Sequence, residues 1–154
     1  MIVVRVYGIL INDAKQILVS DELINGKYIT KFCGGGLEEG EGTRDCLHRE
    51  FMEEMNEEVE VLEHFYTTDF YQPSAFRKGD QILSIYYCVK PLKKINIQAN
   101  KKPFDFSEAQ LEKYNQTKQI ETFRFIDLKN FTAENMTLPI DKIVAAMVVE
   151  KFAV

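Results

Sequence analysis

The sequence has only two histidines and three cysteines in 154 residues, and no excess of positive charge. Each shortage closes off a class of function. Cys33, Cys46 and Cys88 include no C-x-x-C pair, so no thiol redox motif or cysteine zinc site is written here. They read as reduced, partly buried thiols of a cytoplasmic protein. His48 and His64 fall on different elements, without a partner cysteine or acid pattern. No Ser/His/Asp or Cys/His arrangement for nucleophilic catalysis is visible. Lys and Arg number 19 against 24 Asp and Glu, a formal net charge of -5. Long nucleic acid calls for a basic face, so it is not an expected partner. A small phosphorylated ligand is still allowed, because a bound cation reverses the local sign. No apolar run is long enough to span a bilayer. The opening MIVVRVYGILI lacks the basic start and cleavage site of a signal peptide, and it reads as a strand. No membrane partner is expected, and there is no internal repeat, low-complexity tract or linker.

What is present suits one soluble domain over residues 1–154. Hydrophobic residues are 45% and charged residues 28% of the chain, enough to build a real core. Ile2 to Ile11 is rich in β-branched residues and predicts a central strand. Gln16 to Ser20 predicts a second, and Asn25-Gly26 a hairpin returning through Lys27 to Phe32. Glu58 to Phe70, Gln81 to Lys90 and Glu121 to Ile126 predict further strands, with a short one over Ile95 to Ile97. Ser107 followed by Gln110 is a capping pattern for a short helix to Tyr114. A terminal helix is expected from Asp141 to Phe152. Strands before and after one central helix predict a mixed α/β domain, a sheet covered by helices.

The chain is organised around Gly34 to Glu57. Gly34, Gly35 and Gly36 read as a loop that lets backbone approach a ligand closely. Thr43 is a plausible N-cap for a helix running to about Met55. On it Leu47, Phe51 and Met55 form an apolar stripe for packing. Glu50, Glu53 and Glu54 stand at i, i+3 and i+4, so the helix brings three carboxylates to one face. A solvated acidic face would tolerate that repulsion. Beside a glycine loop, the cluster reads better as a seat for a hard divalent cation.

By spacing, the stretch is Gly35, five residues, Glu41, seven residues, then Arg49-Glu50-Phe51-Met52-Glu53-Glu54. This resembles the Nudix box, G-x5-E-x7-R-E-U-x-E-E-x-G-U, where U is apolar. The match runs from Gly35 to Met55. It departs at Asn56, where the pattern has glycine, at Glu57, where it is apolar, and at Cys33, where the family usually has proline. Asn suits a left-handed helix exit almost as well as Gly. Val59 is the candidate to take over the packing missing at Glu57.

The resemblance implies a Nudix-type α/β/α sandwich with a mixed sheet between helices. It implies hydrolysis of a nucleoside diphosphate linked to another group, with Mg²⁺ or Mn²⁺. Glu50, Glu53 and Glu54 would be metal ligands, with the Gly34 carbonyl as a further one. Glu50 is the general base in some members, and a later-loop glutamate in others. Glu121 is the first choice for that position and Glu112 the second. Arg49 and Glu41 read as a structural pair that locks the loop. Glu38 and Glu39 read as solvated turn residues.

Substrate signals are thinner. Tyr71 and Phe76, with Phe70, could stack on a base, though such residues are more often packing. Pro73 resembles a loop proline of ADP-ribose-hydrolysing members. Lys93, Lys94, Lys101 and Lys102 read as solvated surface. ADP-ribose, a nucleotide sugar and a nucleoside triphosphate all stay open as the small nucleotide substrate. The alternative is a catalytically weak Nudix domain that senses a nucleotide and regulates a partner. That reading expects an added DNA-binding segment, and the chain ends at Val154 after its terminal helix. Exposed strand edges leave room for a homodimer.

Overall fold

The computed structural model describes residues 1–153. In order, the elements are β1 (Ile2–Leu10), β2 (Gln16–Ile24), β3 (Lys27–Lys31), β4 (Cys33–Gly36), α1 (Thr43–Met55), β5 (Val59–Thr67), β6 (Gln81–Pro91), β7 (Ala99–Asn100), α2 (Glu108–Thr117), β8 (Gln119–Asp127) and α3 (Pro139–Phe152). The mixed α+β class expected from the sequence is the class found. Its strands are shared between two sheets, β4-β1-β6-β5 and β3-β2-β8-β7. The chain divides into two compact units, Met1–Ile11 with Cys33–Ile97, and Asn12–Phe32 with the chain from Gln98 onward.

In the first unit β1 is an inner strand. It runs parallel to β6 and antiparallel to β4, and β5 pairs antiparallel with β6. Apolar β-branched residues explain the placement: Val6 and Ile9 are buried in β1. Helix α1 packs on this sheet through Cys46, Leu47, Phe51 and Met55, all buried. The stripe predicted at Leu47, Phe51 and Met55 is therefore the packed one. Burying a side chain such as Leu47 or Phe51 contributes about 1.5–3 kcal/mol. The Phe51 ring lies so close to Gly8 that a Cβ there would stand 2.9 Å from it.

The glycine triplet is not a loop. Cys33–Gly36 is a strand, paired with β1 in the register Arg5↔Gly36 to Gly8↔Cys33. The absent side chains are the reason: a Cβ on Gly34 would collide with the Val6 carbonyl oxygen. A loop was the wrong inference from these glycines, and close contact with the neighbouring backbone is what they supply.

In the second unit β2 lies between β3 and β8, antiparallel to both. Asn25 and Gly26 both have positive φ, 47° and 79°, as a two-residue hairpin turn demands. Phe32 and Phe131 meet edge to face, with centroids 6.4 Å apart, and Ile17, Val19, Val144 and Val148 of this unit are also buried. Asp21 is fully buried and takes two bonds from Arg124, at 2.6 and 3.2 Å, and one from the Thr30 hydroxyl at 2.6 Å. This pair joins the middle strand to both neighbours. Ser107 caps α2 with Gln110, as its pattern predicted, and α2 runs on to Thr117. No strand forms over Ile95 to Ile97. Its amides go to a carboxylate instead, and Ala99–Asn100 is the segment that pairs with β8. Among the described residues no helix is long and apolar enough to cross a membrane.

Phe51→Ala is expected to destabilise the protein by about 3–5 kcal/mol, because it empties the contact between α1 and β1. Urea unfolding measures it, and a loss below about 1 kcal/mol would show that α1 is held by other contacts.

Candidate active site

Strand β4 delivers the chain to α1 through an acidic turn. The N-cap of α1 is Gly42, one residue before the expected Thr43. Its amide donates to the Asp45 carboxylate at 3.1 Å, which satisfies a donor at the helix start. Thr43 turns instead to the Tyr87 hydroxyl at 2.8 Å. Arg44 donates to the Val61 carbonyl at 2.8 Å, tying the helix to β5. The helix ends at Asn56 in the left-handed conformation, φ 53° and ψ 39°. Asparagine tolerates this region, so the missing glycine is a mild change.

Arg49 is the centre of the site. Its Nε and Nη2 donate to the two oxygens of Glu41 at 3.0 and 2.7 Å. Nη2 also donates to the Gly36 carbonyl at 3.0 Å, and Nη1 to Glu50 at 2.9 Å and Glu53 at 3.2 Å. The bidentate Arg49–Glu41 pair is the loop lock expected from the sequence, and the reach to Glu50 and Glu53 was not expected. One guanidinium thus offsets repulsion among three carboxylates. Glu38 joins only loosely, 3.7 Å from Arg49, and Glu38 and Glu39 are exposed.

Charge follows this geometry. Hydrogen bonding from Arg49, then the Glu38 backbone, holds the Glu41 carboxyl at about 2. The Glu41 bond likewise pushes Arg49 above its ordinary value. Burial, then the nearby Glu41 charge, pushes the Cys46 thiol up to about 12. Cys46 is therefore a protonated, inert packing group, 3.6 Å from the Gly36 carbonyl.

Glu50 lies against β4. A Cβ on Gly35 would fill the space its carboxyl group occupies. The Glu50 side chain is 12% exposed and that of Glu53 59%, while Glu54 is half-buried. Tyr71 and Phe76 belong to the same unit, on the connection from β5 to β6, and are 70% and 48% exposed. Glu121 belongs to the second unit. It accepts a short hydrogen bond from the Ser20 hydroxyl and lies 3.4 Å from Lys31. Glu112 is exposed on α2.

The NUDIX domain matches the sequence over residues 1–135. The chain belongs to the NUDIX domain family. Its class of chemistry is that of a Nudix hydrolase. Solved structures share the fold. The E. coli ORF135 protein aligns with a TM-score of 0.62 at 17% identity, covering 97% of this chain and 91% of that one. A MutT structure from work on Aliivibrio salmonicida and Vibrio cholerae gives 0.58 at 17% identity, covering 99% and 100%. An ADP-ribose pyrophosphatase from Streptococcus suis gives 0.57 at 13% identity, covering 95% and 90%. A search of curated proteins returned no match.

Against the Nudix pattern, the departure at Glu57 has a clear physical account. Val59 is buried and takes the apolar role. Glu57 is also buried, and its carboxylate accepts the amides of Asn96 at 2.6 Å and Ile97 at 3.1 Å. A charged residue in an apolar slot was the signal, and its partners lie about forty residues away, beyond local pattern reading. As for a metal, the donor chemistry fits a hard divalent ion: Glu50, Glu53 and Glu54 offer only oxygen, and the Glu50 carboxyl occupies the space that the missing Gly35 side chain leaves. Among the described residues, no three His, Cys, Asp or Glu side chains are already gathered as a metal cage. Arg49 bridges Glu50 and Glu53 instead.

Folding lowers the Glu41 pKa from 4.5 to about 2. Its charge therefore favours the folded chain fully above pH 4.5, and that contribution fades as the pH falls through about 2. In urea unfolding across this range, the stability gap between wild type and Glu41→Gln should narrow as the solution is acidified. A gap that does not change with pH would contradict the Arg49–Glu41 pairing.

Proposed function

We propose that the chain is a Mg²⁺- or Mn²⁺-dependent pyrophosphohydrolase acting on a nucleoside diphosphate linked to a second group. Residues 1–154 act as one Nudix domain in this reading. The observation that carries it is the helix face of Glu50, Glu53 and Glu54, with Glu50 against the side-chain-free strand and Arg49 holding Glu50 and Glu53.

Glu50, Glu53 and Glu54 would hold the metal, with the Gly34 carbonyl as a further oxygen donor. A bound divalent ion supplies charge neutralisation of the diphosphate and lowers the pKa of water. The residues do the rest. Arg49 and Glu41 keep the carboxylates oriented before substrate arrives. Water attacks one phosphorus, the bridging P–O bond breaks, and the products are a nucleoside monophosphate and the phosphorylated second group. The water proton passes to a carboxylate. Glu50 is the base that the geometry favours, since its carboxyl is packed and held, and Glu121 is the other candidate.

The substrate is proposed as ADP-ribose, a nucleotide sugar or a nucleoside triphosphate. The fold likeness to a MutT protein and to an ADP-ribose pyrophosphatase supports that range. Tyr71 and Phe76 are exposed rings on one connection, suited to stacking against a base.

Purified protein with Mg²⁺ or Mn²⁺ should release nucleoside monophosphate from at least one member of a substrate panel, and a chelator should stop it. Glu53→Gln and Glu54→Gln should each lower kcat at least about a hundredfold. Unchanged turnover in Glu53→Gln overturns the ligand assignment. Of Glu50→Gln and Glu121→Gln, the one that removes the base should cost about 10²–10⁴-fold in kcat.

A further inference from the structure

Glu57 brings a charge to the exit of α1, and that charge fastens a distant segment. Its carboxylate accepts the amides of Asn96 and Ile97. One residue further on, the Glu58 carbonyl accepts the Leu92 amide at 3.0 Å. The chain from Leu92 to Ile97 is thus tied at both ends to the residues that follow α1. Lys93 and Lys94 stand between the two ties. Both are exposed, as expected of solvated lysines, yet both line a cavity of about 250 Å³ at the end of α1. Met52, Asn56 and Asn96 complete its wall with Glu57 and Glu58. Met52 lies two residues beyond Glu50, about 200° around the helix, so the cavity opens on a different side of α1 from Glu50.

Charge around this cavity is uneven. Among the described residues no carboxylate is paired with either lysine ammonium. Glu57 is buried, and its charge faces two amide dipoles. Glu58 is exposed and is the one lining acid left to oppose the lysines. The helix end is muted as well, because the carbonyls of Phe51 and Met52 are taken by the amides of Glu57 and Asn56. Two ammoniums against one free carboxylate bias the cavity toward an anion. The carboxamides of Asn56 and Asn96 add neutral donors.

We propose that this cavity is a second binding site, for the phosphoryl group of a small molecule, held by Lys93 and Lys94 with Glu57 as their positioning residue. The proposal does not use the hydrolase reading. A phosphoryl group carries about −1.5 to −2 charges at pH 7 and so answers both ammoniums, whereas one carboxylate would leave an ammonium unmatched. The cavity is smaller than the about 300–1,000 Å³ of drug-sized sites, so the group comes on a small molecule. Lysine side chains are flexible, and the fastened backbone is what keeps two of them at one cavity. Glu57 therefore helps an anion to bind although it is itself an anion.

The test is an NMR titration of the full chain, with a chelator present, using inorganic phosphate, ribose 5-phosphate and ribose as probes and chloride at matched ionic strength as the control. Phosphate should give saturable shifts at the amides of Asn56, Lys93, Lys94 and Asn96, and the double variant Lys93→Gln/Lys94→Gln should weaken binding about tenfold or more. Tighter binding of ribose 5-phosphate assigns the site to a sugar phosphate, and equal binding assigns it to free phosphate. Glu58→Gln should tighten binding by removing the opposing charge. Glu57→Ala should weaken it, while Glu57→Gln, which keeps an acceptor for the two amides, should not. Tighter binding by Glu57→Ala would mean that Glu57 acts only as a repelling charge. Urea unfolding separates binding from a role at the helix end: the double variant should match wild type without phosphate and lack the stabilisation that phosphate gives wild type. No saturable shifts at these amides, the same shifts with chloride or with ribose alone, or unchanged binding by the double variant overturns the site.

Discussion

The bond network of Arg49 is the constraint on which the site depends. One helix face carries Glu50, Glu53 and Glu54, and Glu41 approaches from the preceding turn. Without a cation among them, these charges would favour a looser helix and an open turn. Arg49 answers with all three of its nitrogens: two take Glu41 side-on, one spans Glu50 and Glu53, and one also reaches the Gly36 carbonyl. A lysine has a single ammonium and no planar fork, and it could not close the turn and order the helix face together. The same contacts depress the Glu41 pKa, so the lock persists through the whole range in which carboxylates are charged.

The lock needs something to press against, and that is β4. A strand of glycines is thin. Glu50 can lie flat on it, and β1 can approach it from the side until the Val6 carbonyl nearly touches Gly34. Any side chain on Gly34 or Gly35 would force one of these contacts apart. Pairing with β1 also anchors the strand in the packed unit. The acidic face is thus referenced to a paired strand and not to a loop, as the proposed handling of a diphosphate requires.

Much of this was legible in the residues, and the exceptions share a cause. Spacing alone placed Leu47, Phe51 and Met55 in the core and matched Arg49 to Glu41, because helical periodicity and complementary charge act over short range. The hairpin at Asn25-Gly26 and the cap at Ser107 were legible for the same reason. The glycine strand was not. Glycine has low strand propensity, and only its partner β1 makes a strand of it. Asp21 and Arg124 gave no local sign of pairing, since they are 103 residues apart and meet only once β2 and β8 are side by side. The strand expected over Ile95 to Ile97 failed because a carboxylate outside the segment claimed its amides.

The three departures from the family pattern sharpen what that pattern demands. At position 56 it requires a residue that can leave a helix left-handed, and Asn56 does so at φ 53°. At position 57 it requires anchorage for the chain beyond the helix. An apolar residue would give it by burial. Glu57 gives it through two amides while Val59 supplies the burial. At position 33 the chain must enter a strand, and Cys33 does so buried and paired with Gly8. Each substitution changes the chemistry and keeps the backbone condition. The carboxylates and Arg49 have no such freedom, because the proposed function uses their charge and donor geometry directly. The motif is therefore two things at once: a set of backbone conditions that several residues satisfy, and a charge constellation that only these residues do.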